Sequence, residues 1–107
     1  MADIAFICLM GMKYMDPFEF HDAVLISIEA NWKKAEVVVL MEVESEHVSV
    51  NVSNFSSIFA PRRLPWGNSF YINETALKRE NGEVRFEIEM QTGDVIIISG
   101  DSIAVNG

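Results

Sequence analysis

The chain has 107 residues, half of them apolar, with sixteen acidic and eight basic residues and a formal net charge of −8. That length suits one domain with a core of its own. The charge excludes the basic footprint that grips nucleic-acid backbones or anionic membrane surfaces, and it favours a basic partner if the partner is charged.

A single cysteine, Cys8, rules out an intrachain disulfide, and its apolar surroundings predict an inert interior thiol in a reducing, cytoplasmic setting. Around it, Ile4 to Met12 is apolar but short, and Asp3 rather than a basic cluster precedes it. Such a stretch is a poor signal peptide and too short to span a bilayer. Residues 1–14 are therefore read as an N-terminal extension or an extra strand, and residues 15–107 as a single mainly-β domain.

Asp16-Pro17 marks a turn. From Ala23 to Trp32 the chain alternates, with Val24, Ile26, Ile28, Ala30 and Trp32 predicted on one face and Ser27, Glu29 and Asn31 on the other. A polar break at Asn31 to Ala35 suits a hairpin. Glu36 to Glu44 follows as a strand with Val37, Val39, Met41 and Val43 on one side; Val38 and Leu40 opposite suggest cover on both faces. Val48, Val50 and Val52 alternate with His47, Ser49 and Asn51 as a third strand.

Asn54 is placed to cap a short helical turn through Phe59. Pro61, Pro65 and Gly67 break the next stretch, and the loop Ala60 to Gly67 carries adjacent arginines and Trp66. A loop of that kind on a rigid scaffold often carries function. Phe70 to Asn73 reads as a short strand and Thr75 to Glu80 as one helical turn, ended by the strong turn signal Asn81-Gly82. Glu83 to Gln91 alternates without a fault: Val84, Phe86, Ile88 and Met90 oppose Glu83, Arg85, Glu87, Glu89 and Gln91. Thr92-Gly93-Asp94 turns the chain into Val95 to Ser99, Gly100-Asp101 breaks it, and Ile103 to Val105 is a last strand. About seven short strands predict a single antiparallel meander forming a small sandwich or barrel-like sheet, with one or two short helical turns. No internal repeat is visible.

Chemistry-bearing patterns are few. No His/Cys cluster has metal-ligand spacing, and no nucleophile or phosphate-loop motif is present, so no metal, cofactor or catalytic residue is expected. His21 beside Asp22 is the one arrangement from which a small enzyme could be built; a role in pinning the first strand is the simpler reading. Arg62 and Arg63 are expected in internal or rim salt bridges. Glu42, Glu44 and Glu46 cluster at one strand end, and Glu83, Glu87 and Glu89 line another strand. Such rows repel unless a cation or a partner compensates them.

The segments Phe20-His21-Asp22-Ala23, Pro61-Arg62, Pro65-Trp66-Gly67-Asn68-Ser69, Ile72-Asn73 and Glu89-Met90-Gln91-Thr92-Gly93-Asp94 resemble a set of small uncharacterised bacterial β-proteins over roughly Phe18 to Val105. In size, acidity and β-content the chain also resembles immunity proteins of polymorphic toxin systems, including contact-dependent growth inhibition. That second resemblance implies a cytoplasmic protein that binds and blocks one toxin domain. The expectation is therefore a non-enzymatic inhibitor of a basic toxin domain, possibly a nuclease. The expected contact residues are Glu42, Glu44, Glu46, Glu83, Glu87 and Glu89, with Trp66, Phe70 and Tyr71 as apolar anchors. The alternative is a structural module that self-associates through a strand edge, with a homo-oligomer as its signature.

Overall fold

The structure, a computed structural model, describes residues 20–106. The predicted N-terminal extension or strand, and Cys8 with it, lie outside the described residues. Eight strands follow in order: β1 (Val24–Asn31), β2 (Glu36–Val43), β3 (Glu46–Ser53), β4 (Ser57–Phe59), β5 (Ile72–Glu80), β6 (Glu83–Met90), β7 (Val95–Gly100) and β8 (Ser102–Asn106). They build two antiparallel four-stranded sheets, ordered β1-β2-β3-β8 and β4-β7-β6-β5. Among the described residues no helix is long and apolar enough to cross a membrane.

The inner faces are the ones the alternation predicts. Val37, Val39 and Met41 of β2, Val50 and Val52 of β3, and Phe86 and Ile88 of β6 are fully buried. Ile98 and Ile103 join them from β7 and β8. Between the sheets these side chains form one apolar layer, as a sandwich requires. On the other side of β2, Val38 and Leu40 are half-buried.

The predicted single meander is instead two. β1-β2-β3 and β5-β6-β7 are each hairpin-linked, and each sheet is completed by the last strand of the other half. After β3 the chain crosses at Ser53 to Ser56 and becomes β4 on β7; after β7 it crosses at Asp101 and becomes β8 on β3. The two crossings clamp each other. Asp101 N–H donates to the Ser53 carbonyl at 3.0 Å, Ser56 N–H to the Ser99 carbonyl at 2.8 Å, and the Asn54 amide to the Asp101 carboxylate at 2.6 Å. The duplicated topology has no counterpart in a visible sequence repeat.

Both predicted helical turns are strand. Asn54 adopts a left-handed φ of 51° and spends its side chain on Asp101, so it caps nothing, and Ser57–Phe59 pairs with β7. Thr75 to Glu80 pairs with β6 along its length, and the short strand expected at Phe70 to Asn73 is the start of this longer one. Tertiary pairing overrides a modest local helix preference here. In β1 a bulge between Leu25 and Ser27 shifts the phase. Leu25 and Ile28 pack against the core while Ile26 is 44% exposed, so the predicted face of Val24, Ile26, Ile28, Ala30 and Trp32 is broken at its second member. The extra residue puts Leu25 and Ile28, three apart, on the same face, where strict alternation would put them on opposite faces.

Two hairpins use the same two-residue turn with different residues. Asn81 and Gly82 have φ of 53° and 77°, the double left-handed turn that Asn-Gly supplies. Glu44 and Ser45 have φ of 52° and 72°. Left-handed backbone costs an ordinary L-residue about 1–2 kcal/mol. The double replacement Glu44→Asn, Ser45→Gly is expected to stabilise the domain by about 1–2 kcal/mol, raising Tm by about 4–8 °C in calorimetry.

Candidate functional site

The site grows from a buried carboxylate. Asp94 is 6% exposed and lies just after the β6–β7 turn. Its oxygens accept hydrogen bonds from Arg63 N–H at 3.1 Å, Leu64 N–H at 2.9 Å and the Thr92 hydroxyl at 2.9 Å. Leu64 has a φ of 56°, which a branched side chain resists. That conformation turns two successive amides toward one anion, forming a small nest. Trp66 N–H donates to the Thr92 carbonyl at 3.2 Å, and Gly67 N–H to the Leu64 carbonyl at 3.2 Å. The Pro-Arg-Arg-Leu-Pro-Trp loop is thereby fixed onto the β6–β7 turn. Gly93 serves the same contact, because a Cβ there would stand 2.7 Å from the Trp66 ring.

Burial alone raises the Asp94 carboxyl, but the Leu64 and Arg63 amides, the Thr92 hydroxyl and the Arg63 charge together hold it below the ordinary aspartate value. A depressed folded pKa means the unfolded chain takes up the proton first. The carboxylate's contribution is therefore complete above the unfolded aspartate pKa of about 3.9 and is lost as pH falls through the folded value. In a Trp32→Phe background, Trp66 emission should hold constant above that range and change below it. Asp94→Asn should give the acid-form emission at neutral pH and strip hydrogen-exchange protection from the Arg63 and Leu64 amides.

Pinned this way, the loop walls a groove of about 390 Å³. Leu25, Ile26 and Ile28 of β1 form one side, Pro61, Arg62 and Leu64 the other, and Met90 and Ile96 reach it from sheet two. Phe70 lies at its edge, 56% exposed and stacked on Tyr71 with ring centres 5.3 Å apart. Trp66 is 76% exposed. The three predicted anchors thus stand in or beside one loop. Arg62 and Arg63 make no ion pair among the described residues, which corrects the expected internal or rim salt bridge; the Arg63 charge acts on Asp94 without contact at salt-bridge distance.

The six predicted glutamates fall into two groups. Glu42, on the outward face of β2 opposite His47, belongs with Glu44 and Glu46 at the β2–β3 hairpin in the first sheet. Their side chains make no hydrogen bond or ion pair among the described residues. Glu83, Glu87 and Glu89 lie on the outer face of the second sheet. There Glu87 is met by Lys78 at 3.3 Å and Arg85 at 3.5 Å, and Glu83 accepts from the Ser56 hydroxyl. Glu89 pairs with Glu74 across the ladder, and neither makes an ion pair among the described residues. Outer faces of a two-sheet sandwich point apart, so the acidic residues present two surfaces.

His21 ties the start of β1 to β5. Its Nδ1 is hydrogen-bonded to the Asn73 carbonyl, and its Nε2 lies 3.4 Å from the Asp22 carboxylate. Asp22 in turn accepts from Gln91 Nε2 at 2.9 Å. Its backbone N–H donates to the Ile72 carbonyl at 2.8 Å. Among the described residues no group of three or more His, Cys, Asp and Glu side chains could hold a metal ion.

Fold and site together define a small antiparallel two-sheet β-protein with a loop-walled groove and an acidic hairpin that no described cation meets. A crystal structure of an uncharacterized protein from Neisseria gonorrhoeae has a similar fold, with TM-score 0.66 and 17% identity over 82% of this chain and 93% of that one. No family model and no curated protein matches the chain.

Proposed function

We propose that this chain is a non-catalytic protein-binding module that neutralises a basic partner, in the manner of a cytoplasmic immunity protein blocking a toxin domain. One observation carries the reading. Glu42, Glu44 and Glu46 lie at one hairpin without a counter-ion among the described residues, while Glu87 of the β6 stripe is met by Lys78 and Arg85. Three carboxylates gathered at one end of a sheet set up a negative field that a cationic surface from elsewhere can meet. The hairpin is also the one whose turn forces a glutamate into left-handed backbone, and strain of that kind concentrates at functional positions. A cationic cleft, such as a nuclease offers to its polyanionic substrate, complements such a projection and speeds encounter.

The test uses a panel of purified cationic toxin nuclease domains and stopped-flow association. A cognate domain should bind and lose activity. The variant Glu42→Lys, Glu44→Lys, Glu46→Lys should associate about tenfold or more slowly with a flatter salt dependence. Equal rates and equal protection by that variant, with its circular dichroism unchanged, would remove the hairpin as the contact surface.

A further inference from the structure

We infer that the groove between β1 and the 60–71 loop receives an extended segment of a partner protein, aliphatic along its length and bearing a carboxylate that Arg62 and Arg63 bind. The inference stands apart from the acidic hairpin and holds whether or not that hairpin meets a toxin.

Three independent features meet there. β1 is an edge strand of its sheet. Among the described residues its outer edge is paired only at the start, through the Val24–Tyr71 bridge and the Leu25 N–H to Phe70 carbonyl bond of 2.9 Å. From the bulge at Ile26 to Asn31 no backbone hydrogen bond is made on the outer side among the described residues, and the 60–64 loop stands across the groove from it. A bare edge offers a row of donors and acceptors that only another extended backbone matches in register. The groove beside it is apolar, and at about 390 Å³ it holds a few aliphatic side chains. Exposed Ile26 and Phe70 belong to it, so their exposure is concentrated where an occupant would cover them.

The third feature is charge. In a chain of net charge −8, Arg62 lines this groove without an acidic partner among the described residues, and Arg63 beside it feels only the charge of Asp94. The Asp94 carboxylate near them is already engaged by two amides and a hydroxyl. A guanidinium fork is built for a carboxylate, and pairing is strongest where water is partly excluded. A basic segment would meet two like charges here, and a small apolar molecule would leave the β1 edge unmatched. An acidic-aliphatic strand satisfies all three features together.

The probe is a phage-displayed random heptapeptide library selected against the whole chain, followed by the synthetic consensus peptide. Selected sequences should alternate aliphatic residues with Asp or Glu. The peptide should shift the amide resonances of Ile26–Asn31 and Arg62–Leu64. Backbone N-methylation at alternate residues, or Lys in place of its acidic residues, should each weaken binding about tenfold or more. The protein variant Arg62→Ala, Arg63→Ala should do the same, while Lys33→Ala, Lys34→Ala at the β1–β2 turn should not. The inference is overturned if the consensus is basic or the shifts map elsewhere. It is equally overturned if N-methylated peptide binds as well, if the two arginine and two lysine variants weaken binding equally, or if the free chain dimerises through β1.

Discussion

Phe86→Ala is expected to lower unfolding free energy by about 3–5 kcal/mol, a large share of the roughly 5–15 kcal/mol that holds such a domain together. Phe86 is the largest fully buried side chain, at the middle of β6. It is flanked in register by Leu77 of β5 and Ile98 of β7. Ile98 is held by ladder pairing on both sides, to Phe86 and Ile58, and Leu77 by its pairing to Phe86, so neither collapses freely into the space a phenyl ring leaves. Phe70→Ala removes the same ring from the groove's edge, where it is 56% exposed, and should cost about 0.5 kcal/mol or less. Urea unfolding of the pair separates core from rim: equal midpoints for the two variants would mean that the layer between the sheets is not where stability resides.

Phe86 was also among the most legible residues, because a strand with one buried face writes its register into the sequence. The run from Val84 to Met90 is strictly alternating, and Asn81-Gly82 before it admits one tight turn. What the sequence hid is non-local. The bulge at Ile26 leaves no mark, since an isoleucine in phase with Val24 and Ile28 reads as core, and only the pairing of Leu25 with Met41 and Ser27 with Leu40 reveals the slip. β4 has three residues and exists because β7 is there to pair with it. The segment Leu77-Lys78-Arg79-Glu80 carries helix-favouring residues and is a strand because β6 lies alongside.

The site divides the same way. The Ala60 to Gly67 loop could be flagged from its arginines, prolines and tryptophan, but not its attachment, which is made by an aspartate 30 residues away. Thr92-Gly93-Asp94 held a signal: a hydroxyl two residues before an aspartate is a local hydrogen-bonding pair that can preset a carboxylate for other donors. Compensation of Glu87 by Lys78 and Arg85 depends on the β5–β6 register, whereas the isolation of Glu42, Glu44 and Glu46 follows from a run with no basic residue in it.

Gly100→Val is expected to be the most damaging change at the sheet crossing. Even the Cβ of Gly100→Ala would stand 2.7 Å from Val52 Cγ1, 2.9 Å from the Ser53 carbonyl oxygen and 3.0 Å from the Phe55 Cα. Two of those three atoms are backbone of the β3–β4 crossing and cannot rotate away. The alanine variant should therefore cost about 1–3 kcal/mol as overpacking, and the branched valine more. Because the strain comes from close approach, it can be relieved in part from the other side. Val52→Ala removes the Cγ1 contact, so Gly100→Ala with Val52→Ala should be less destabilised than the sum of the singles, with a coupling of about 0.5–3 kcal/mol. Relief should stay incomplete, since the Ser53 oxygen remains in the way. Gly82→Ala provides the contrast. It has open space but a φ of 77°, so its cost is conformational and should be additive with Val52→Ala. A Gly100 variant as stable as the parent would mean that the two crossings do not touch, and with that the exchange of β4 and β8 between the sheets would fall.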